Sequence, residues 1–259
     1  MTRLSAASLL LALWSLACGS ASSAEEAVDA KPAGPDVPPR TTCIEGAPCA
    51  TCDPAGTGTQ LGDIIADSSW RRDDGADLSL HSYCGVKKGV LIIETASWCT
   101  LCTERLPLMQ QWIAQYEPLG IQFIFLVGEN KDAQPPTRAN LEAYRTDHTL
   151  QSSLEVIGDP KWIGIKKAVL HPGGVGSLPA FILLDASMKL LYVGDGGDKA
   201  LFPQVPAALE KLTGSAFVAT TNCAGFCGKL APGGCWCDDL CATLGNCCPD
   251  NCGVCGFCE

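Results

Sequence analysis

The chain is short of positive charge and of histidine, and it has no long apolar run. Eighteen Lys and Arg stand against 28 Asp and Glu, giving a formal net charge of -10. No basic cluster interrupts that acidity, so nucleic acid, which is bound by side chains that neutralise phosphates, is excluded as a partner. An acidic surface of this kind serves solubility. Three histidines, His81, His148 and His171, are too few for a multi-histidine metal centre. The apolar stretch from Leu4 to Ala17 is too short to span a bilayer and suits the core of a signal peptide.

What the chain does have is cysteine. Seventeen in 259 residues does not suit a reducing cytosol, so the sequence implies export to a compartment where disulfides persist. A hydrophobic content of 47% at this length allows one medium domain with a genuine core and a small additional module. Residues 1–18 read as the signal peptide. Residues 19–42, rich in Ala, Ser, Pro and Glu without periodicity, read as a disordered tether. The segment Ser15-Leu16-Ala17-Cys18-Gly19-Ser20 resembles the bacterial lipoprotein box, which implies a lipid on Cys18 and a membrane anchor. The small residues from Gly19 to Ala24 also fit an ordinary signal peptidase. Setting Cys18 aside leaves an even number of thiols that can pair completely.

Residues 43–213 carry an α/β pattern. Val90 to Glu94 is a short apolar run suited to a buried strand, followed by Ser97-Trp98-Cys99-Thr100-Leu101-Cys102 and then a helical pattern of Leu101, Leu108, Trp112, Ile113 and Tyr116. Pro107 is predicted to kink that helix. Ile121 to Val127 reads as a second buried strand, and Thr137 to Leu150 as a helix. Asp159-Pro160 reads as an N-cap with proline at the first helical position. Phe181 to Leu184 and Leu190 to Val193 read as a hairpin, and Phe202 to Leu212 as a closing helix.

Trp98-Cys99-x-x-Cys102, Pro107 five residues on, and Leu178-Pro179 just before a strand resemble the thioredoxin superfamily. The segment Gly62 to Cys102 is similar to its redoxin branch of bacterial envelope thiol–disulfide oxidoreductases. The resemblance implies a thioredoxin-like fold, a central mixed sheet flanked by helices. It further implies that Cys99 attacks disulfides, Cys102 resolves the mixed disulfide, and Trp98, Leu178 and a cis Pro179 border the substrate. Protein disulfides and a thiol electron donor are then the partners, with no cofactor and no metal. The expected location is the bacterial cell envelope, as a periplasmic or outer-membrane lipoprotein, or outside the cell. The chemistry agrees: a thiol at a helix N-terminus meets unpaired amides and the positive end of the helix, which lower its pKa.

Some positions depart from that pattern. Ile93 stands six residues before Cys99, where the superfamily often has Asp or Asn, and Arg105 stands where many envelope reductases have Glu. Glu94, Glu104 or a water molecule remain as proton acceptors for Cys102. Peroxidases need Thr three residues before the reactive cysteine, and Ala96 is there. Copper-delivering relatives use two cysteines and a downstream histidine, for which His171 is the candidate, but they separate the cysteines by three residues. Cys43, Cys49, Cys52 and Cys84 read as structural disulfides with three pairings open, although Cys49-x-x-Cys52 could also relay electrons.

Residues 220–259 form a third region, with ten cysteines and almost no aliphatic residues to build a core, so it must be stapled. Its cysteine spacing resembles the somatomedin B domain. The resemblance implies the pairs Cys223 with Cys237, Cys227 with Cys255, Cys235 with Cys248, and Cys241 with Cys247, which leaves Cys252 and Cys258 for each other. A zinc cluster suits the adjacent Cys247-Cys248 less well. The module then either binds a protein partner or caps the main domain, and a purely protein-binding role for the whole chain is the rival to an enzyme.

If Cys18 is the anchor, mass spectrometry of the mature protein will find lipid on it, and Cys18→Ala will yield a soluble product or an unprocessed precursor. A mature N-terminus just after Ala21 or Ala24 rules the anchor out.

Overall fold

The computed structural model describes residues 31–32, 40–42, 50–170, 177–195, 204–219, 222–229, 231, 235–241, 247–248 and 250–256. The strands are β1 (Lys31–Pro32), β2 (Arg40–Thr42), β3 (Ala50–Cys52), β4 (Ser68–Arg72), β5 (Asp77–Ser79), β6 (Gly89–Thr95), β7 (Ile121–Val127), β8 (Glu155–Gly158), β9 (Ala180–Asp185) and β10 (Leu190–Asp195). The helices are α1 (Thr100–Tyr116), α2 (Arg138–Asp147), α3 (Ile163–Ala168), α4 (Gln204–Thr213) and α5 (Asn251–Cys255). Short 3-10 turns cover Leu80–Tyr83 and Pro160–Trp162. β1 and β2 fall inside the stretch read as a tether, β1 pairing with β4 and β2 with β3.

The sheet runs β1-β4-β8-β7-β6-β9-β10, with β5 also paired to β4. The three central strands are parallel, and the strands beyond them are antiparallel. β6 and β7 are buried at every residue, as expected of parallel strands covered on both faces. One face is covered by α1, α2 and α4, which place Trp112, Tyr144 and Leu209 against Leu91, Ile93, Phe123 and Phe125. The other carries α3, β3 and the first 3-10 turn, and there Trp70 of β4, Leu80 and Ile165 share a core with Val90, Ile92 and Ile124. This is a thioredoxin-like fold, a mixed sheet flanked by helices, followed by a small disulfide-rich region.

Local chemistry sets the element ends. α1 continues through Pro107 to Tyr116. α2 starts one residue later than the pattern suggests, because Thr137 is its cap: the Thr137 hydroxyl accepts from the Asn140 backbone amide at 3.3 Å, and the Asn140 side-chain oxygen accepts from the Thr137 backbone amide at 2.9 Å. The helix ends at Asp147, short of Leu150, and Thr149 is left-handed with φ 52°. Asp159 caps differently from the sequence expectation. Pro160–Trp162 forms a separate turn with Lys161 and Trp162 left-handed, and the Asp159 carboxylate reaches past it to accept from the Gly164 and Ile165 amides, each at 2.8 Å.

Beyond α4 the chain lies along the end of α1. The Gln115 side chain donates to the Ala216 carbonyl at 2.6 Å and accepts from the Val218 amide at 3.1 Å, while Phe217 stacks on Tyr116. The cysteine-rich region closes on itself through Cys223–Cys237, Cys227–Cys255, Cys235–Cys248 and Cys241–Cys247. The Asp250 carboxylate accepts from the Cys223 amide at 2.9 Å, and Asp238 from the Cys241 amide at 2.8 Å.

Because Gln115 secures the chain as far as Val218, removal of residues 220–259 is expected to leave the main domain folded. Thermal unfolding should stay cooperative, with a midpoint within about 4 °C of the full chain, the shift of a ~1 kcal/mol effect. Loss of cooperativity shows instead that the cysteine-rich region is an integral cap.

Candidate active site

The site begins where β6 stops. Its last residue, Thr95, is followed by a turn in which the Cys99 amide donates to the Ala96 carbonyl at 3.1 Å, and Cys99 becomes the N-cap of α1. The Cys99 sulfur accepts a hydrogen bond from the Cys102 amide at 3.1 Å and is joined to Cys102 in a disulfide with a Cα separation of 5.2 Å. That sulfur faces helix amides that have no partner within the helix, an arrangement that stabilises a thiolate once the bridge is reduced. The sequence suggested that Cys102 is the more buried of the two. In the bridged form both are 5% exposed, because the bond draws the Cys99 sulfur into the same core.

The other expected site residues surround this bridge. Leu178 is half-buried and packs against the core cluster that contains both cysteines, and the Leu178–Pro179 bond is cis. Ala180 pairs with Glu94 in the β6–β9 ladder, so Pro179 lies one step further towards the cysteine turn. Trp98 is 47% exposed, and its indole donates to the Glu129 carboxylate at 2.6 Å. Ile93 faces α1 in the cluster of Trp112 and Met109. Glu94 is entirely buried, and strand alternation places it with Val90 and Ile92, on the face whose core includes Ala96, Cys99 and Cys102. Glu104, the other acid considered for proton transfer, is exposed on α1.

Sequence reasoning missed Glu129 and Lys161 at this edge of the sheet and read Asp159 only as a helix cap. Glu129 follows β7, is 8% exposed and forms an ion pair with Lys161, and the carbonyl of Glu129 accepts from the Ser97 amide at 2.9 Å. Asp159 follows β8 and is fully buried; burial holds its carboxyl above the usual range, although the amides of Ile165 and Gly164 pull the other way. The usable signal was topological: both acids lie just beyond the carboxyl ends of parallel strands, where open α/β sheets collect functional groups.

The remaining cysteines are committed elsewhere. Cys52 is bridged to Cys84, so Cys49-x-x-Cys52 is not a second dithiol, and Cys43 and Cys49 lie outside the described residues. Cys52 and Cys84 are 2% and 0% exposed. In the C-terminal region the sulfurs of Cys223, Cys237 and Cys248 lie within 4.8 Å of one another, but each belongs to a disulfide and offers no thiolate to a metal. The four bridges are those that the somatomedin B resemblance implies. Cys252 is disulfide-bonded, while Cys258, Cys18 and His171 lie outside the described residues. No helix among the described residues is long and apolar enough to cross a membrane.

A thioredoxin-like sheet that carries a bridged Cys-x-x-Cys at the start of its first long helix defines the class of redoxins. The chain belongs to the AhpC/TSA family, whose profile matches residues 61–193, just over half of its length. No curated protein matches it. Among solved structures it is similar to a candidate protein disulfide isomerase from Bacteroides thetaiotaomicron, with 17% identity and a TM-score of 0.49 over 62% of this chain and 94% of the other. A thiol:disulfide interchange protein from Bacteroides sp. shares 16% identity, with a TM-score of 0.45 over 62% and 94% of the two chains. The exposed lipoprotein thioredoxin of Streptococcus pneumoniae shares 25% identity, with a TM-score of 0.41 over 56% and 99%.

The bridges differ in accessibility and in loop length, so they are expected to open in order. Thiol titration under rising dithiothreitol should release the two thiols of Cys99 and Cys102 first, with Cys52–Cys84 resisting until the protein unfolds. Simultaneous opening of both marks the Cys99–Cys102 bridge as purely structural.

Proposed function

We propose that the protein is an exported thiol–disulfide oxidoreductase that reduces disulfides of envelope or extracellular proteins. The observation that carries this reading is the Cys99–Cys102 bridge at the N-terminus of α1, with the Cys99 sulfur held by the Cys102 amide. In the reduced enzyme the Cys99 thiolate attacks one sulfur of a substrate disulfide, forming a mixed disulfide and expelling the other substrate sulfur as a thiolate, which takes up a proton. Cys102 then loses its proton and attacks the Cys99 sulfur, releasing the second substrate thiol and closing the bridge. Two electrons have passed to the substrate. A thiol donor returns them by the same exchange.

The neighbouring residues support each step. Cys102 needs a proton acceptor, and Glu94 is a carboxylate buried on the face that shares a core with it, whereas Glu104 sits in solvent. Half-exposed Trp98, together with Leu178 and Pro179, borders the bridge and offers an apolar edge to an extended substrate segment. Ala96, at 2% exposure, provides no hydroxyl for a peroxide, which favours disulfide exchange over peroxidase chemistry. Cys18 would anchor the protein through lipid. The cysteine-rich region, with the spacing and pairing of a somatomedin B domain, would serve as an accessory protein-binding element.

Cys99→Ser is expected to bring reduction of insulin disulfides down to background. Cys102→Ser is expected to accumulate covalent complexes with substrate proteins, identifiable by mass spectrometry and released by dithiothreitol. Turnover retained in Cys99→Ser sinks the mechanism.

A further inference from the structure

The loop after β7 grips the residues that lead into Cys99 in a way the exchange chemistry does not require. The Gly128 amide donates to the Thr95 carbonyl at 3.0 Å, and the Ser97 amide donates to the Glu129 carbonyl at 2.9 Å, so the two loops are laced together on both sides of Ala96. The Glu129 side chain then divides between two partners. One oxygen accepts from the Trp98 indole at 2.6 Å, and the other pairs with the Lys161 ammonium. Lys161 is itself held in an unusual way. It and Trp162 both have φ of 57°, a left-handed conformation that is uncommon for non-glycine residues. The Lys161 amide donates to the Gly128 carbonyl at 2.9 Å, and its ammonium also donates to the Ala133 carbonyl at 2.7 Å. The Trp162 ring lies on Gly128 so closely that a Cβ there would collide with it. Strained backbone of this kind persists where surrounding contacts over-determine it, and it concentrates at functional sites.

We propose that Glu129 is a positioning residue: with Lys161 as its counter-charge, it fixes the Trp98 indole as the rigid rim against which the substrate polypeptide docks beside the Cys99–Cys102 bridge. The assignment rests on the redox reading of that bridge. Without the carboxylate, a tryptophan 47% exposed would be free to change rotamer, and a docking protein would have to order it on binding. The ion pair also compensates the charge of an acid that is 8% exposed next to the nucleophile's loop. A small disulfide such as 2-hydroxyethyl disulfide carries no polypeptide to lie against the indole and should depend on the rim far less than a protein does.

The test uses the full chain labelled with nitrogen-15. The indole N–H resonance of Trp98, assigned by its loss in Trp98→Phe, should shift and exchange rapidly with solvent in Glu129→Ala. It should stay close to its original position in Glu129→Gln, whose amide oxygen still accepts. In the same variants, KM for insulin should rise about tenfold in Glu129→Ala, a size typical of a released aromatic anchor, with kcat and the reduction of 2-hydroxyethyl disulfide unchanged. The Gln variant should restore KM. An unshifted Trp98 resonance in Glu129→Ala overturns the assignment, and so does an equal slowing of small and large substrates. A wild-type protein that reduces neither substrate removes the redox reading and the docking role with it, while the resonance still decides whether Glu129 holds Trp98.

Discussion

The site depends on the register of β6. This strand pairs with β7 over seven residues in parallel and with β9 over six in the antiparallel sense, and both of its faces are dry. A slip of one residue would exchange Leu91 and Ile93 with Val90, Ile92 and Glu94, moving a carboxylate into the cluster around Trp112. The strand therefore has one place to end. Its end sets the turn at Ala96 and makes Cys99 the cap of α1, a position usually held by Ser, Thr, Asp or Asn. Here a sulfur accepts the amide hydrogen bond that an oxygen would normally take, so the atom that caps the helix is also the atom that the proposed exchange uses.

The same bond type does two jobs in the main domain, and loop length separates them. Cys99 and Cys102 are three residues apart, whereas Cys52 and Cys84 are 32 apart. In the chain-entropy picture the short loop contributes about 2 kcal/mol and the long one about 3.7 kcal/mol. Opening the first thus changes stability less than opening the second. Cys52–Cys84 also fastens β3 to the turn before β6, in the core that lies behind the reactive pair. The C-terminal region is a further case, in which Cys223, Cys237 and Cys248 take the places that aliphatic side chains fill in a larger core.

Legibility from sequence followed the strength of the local signal. The runs at Val90 and Ile121 and the hairpin at Phe181 were readable because buried strands are continuous and apolar. β4, β5 and β8 were not, because Ser68–Arg72 and Asp77–Ser79 are polar and Glu155–Gly158 is only four residues long. The phase of α1 was partly missed. Leu106 and Met109 are buried with Trp112, while Leu101 and Leu108 are only half-buried, since the first turns of the helix project over the end of the sheet. Cys99, Cys102 and Pro179 were legible through their neighbours in sequence. Glu129 and Lys161 were not, because Glu129 meets Trp98 across the sheet edge, 31 residues away, and Lys161 meets Glu129 a further 32 residues on.

The segment from Asp159 to Ile165 shows what the fold gives up for that meeting. Burial raises the Asp159 pKa, with the nearby Glu94 adding to the effect, so between the unfolded and folded pKa values the native state binds more protons than the unfolded one. Stability from this group is therefore fully present at low pH and falls as pH rises through the folded value. Burial therefore costs the charged form of this carboxyl. After Pro160, the left-handed residues Lys161 and Trp162 add a second cost of about 1–3 kcal/mol each. Neither feature is needed to make a six-residue helix. Together they turn the chain sharply after β8, hold α3 by its first free amides and aim Lys161 at Glu129, which no relaxed strand-to-helix connection through the same residues would do. An unfavourable turn at the rim of the sheet brings a distant cation to Glu129, and so to the carboxylate that holds the tryptophan preceding Cys99.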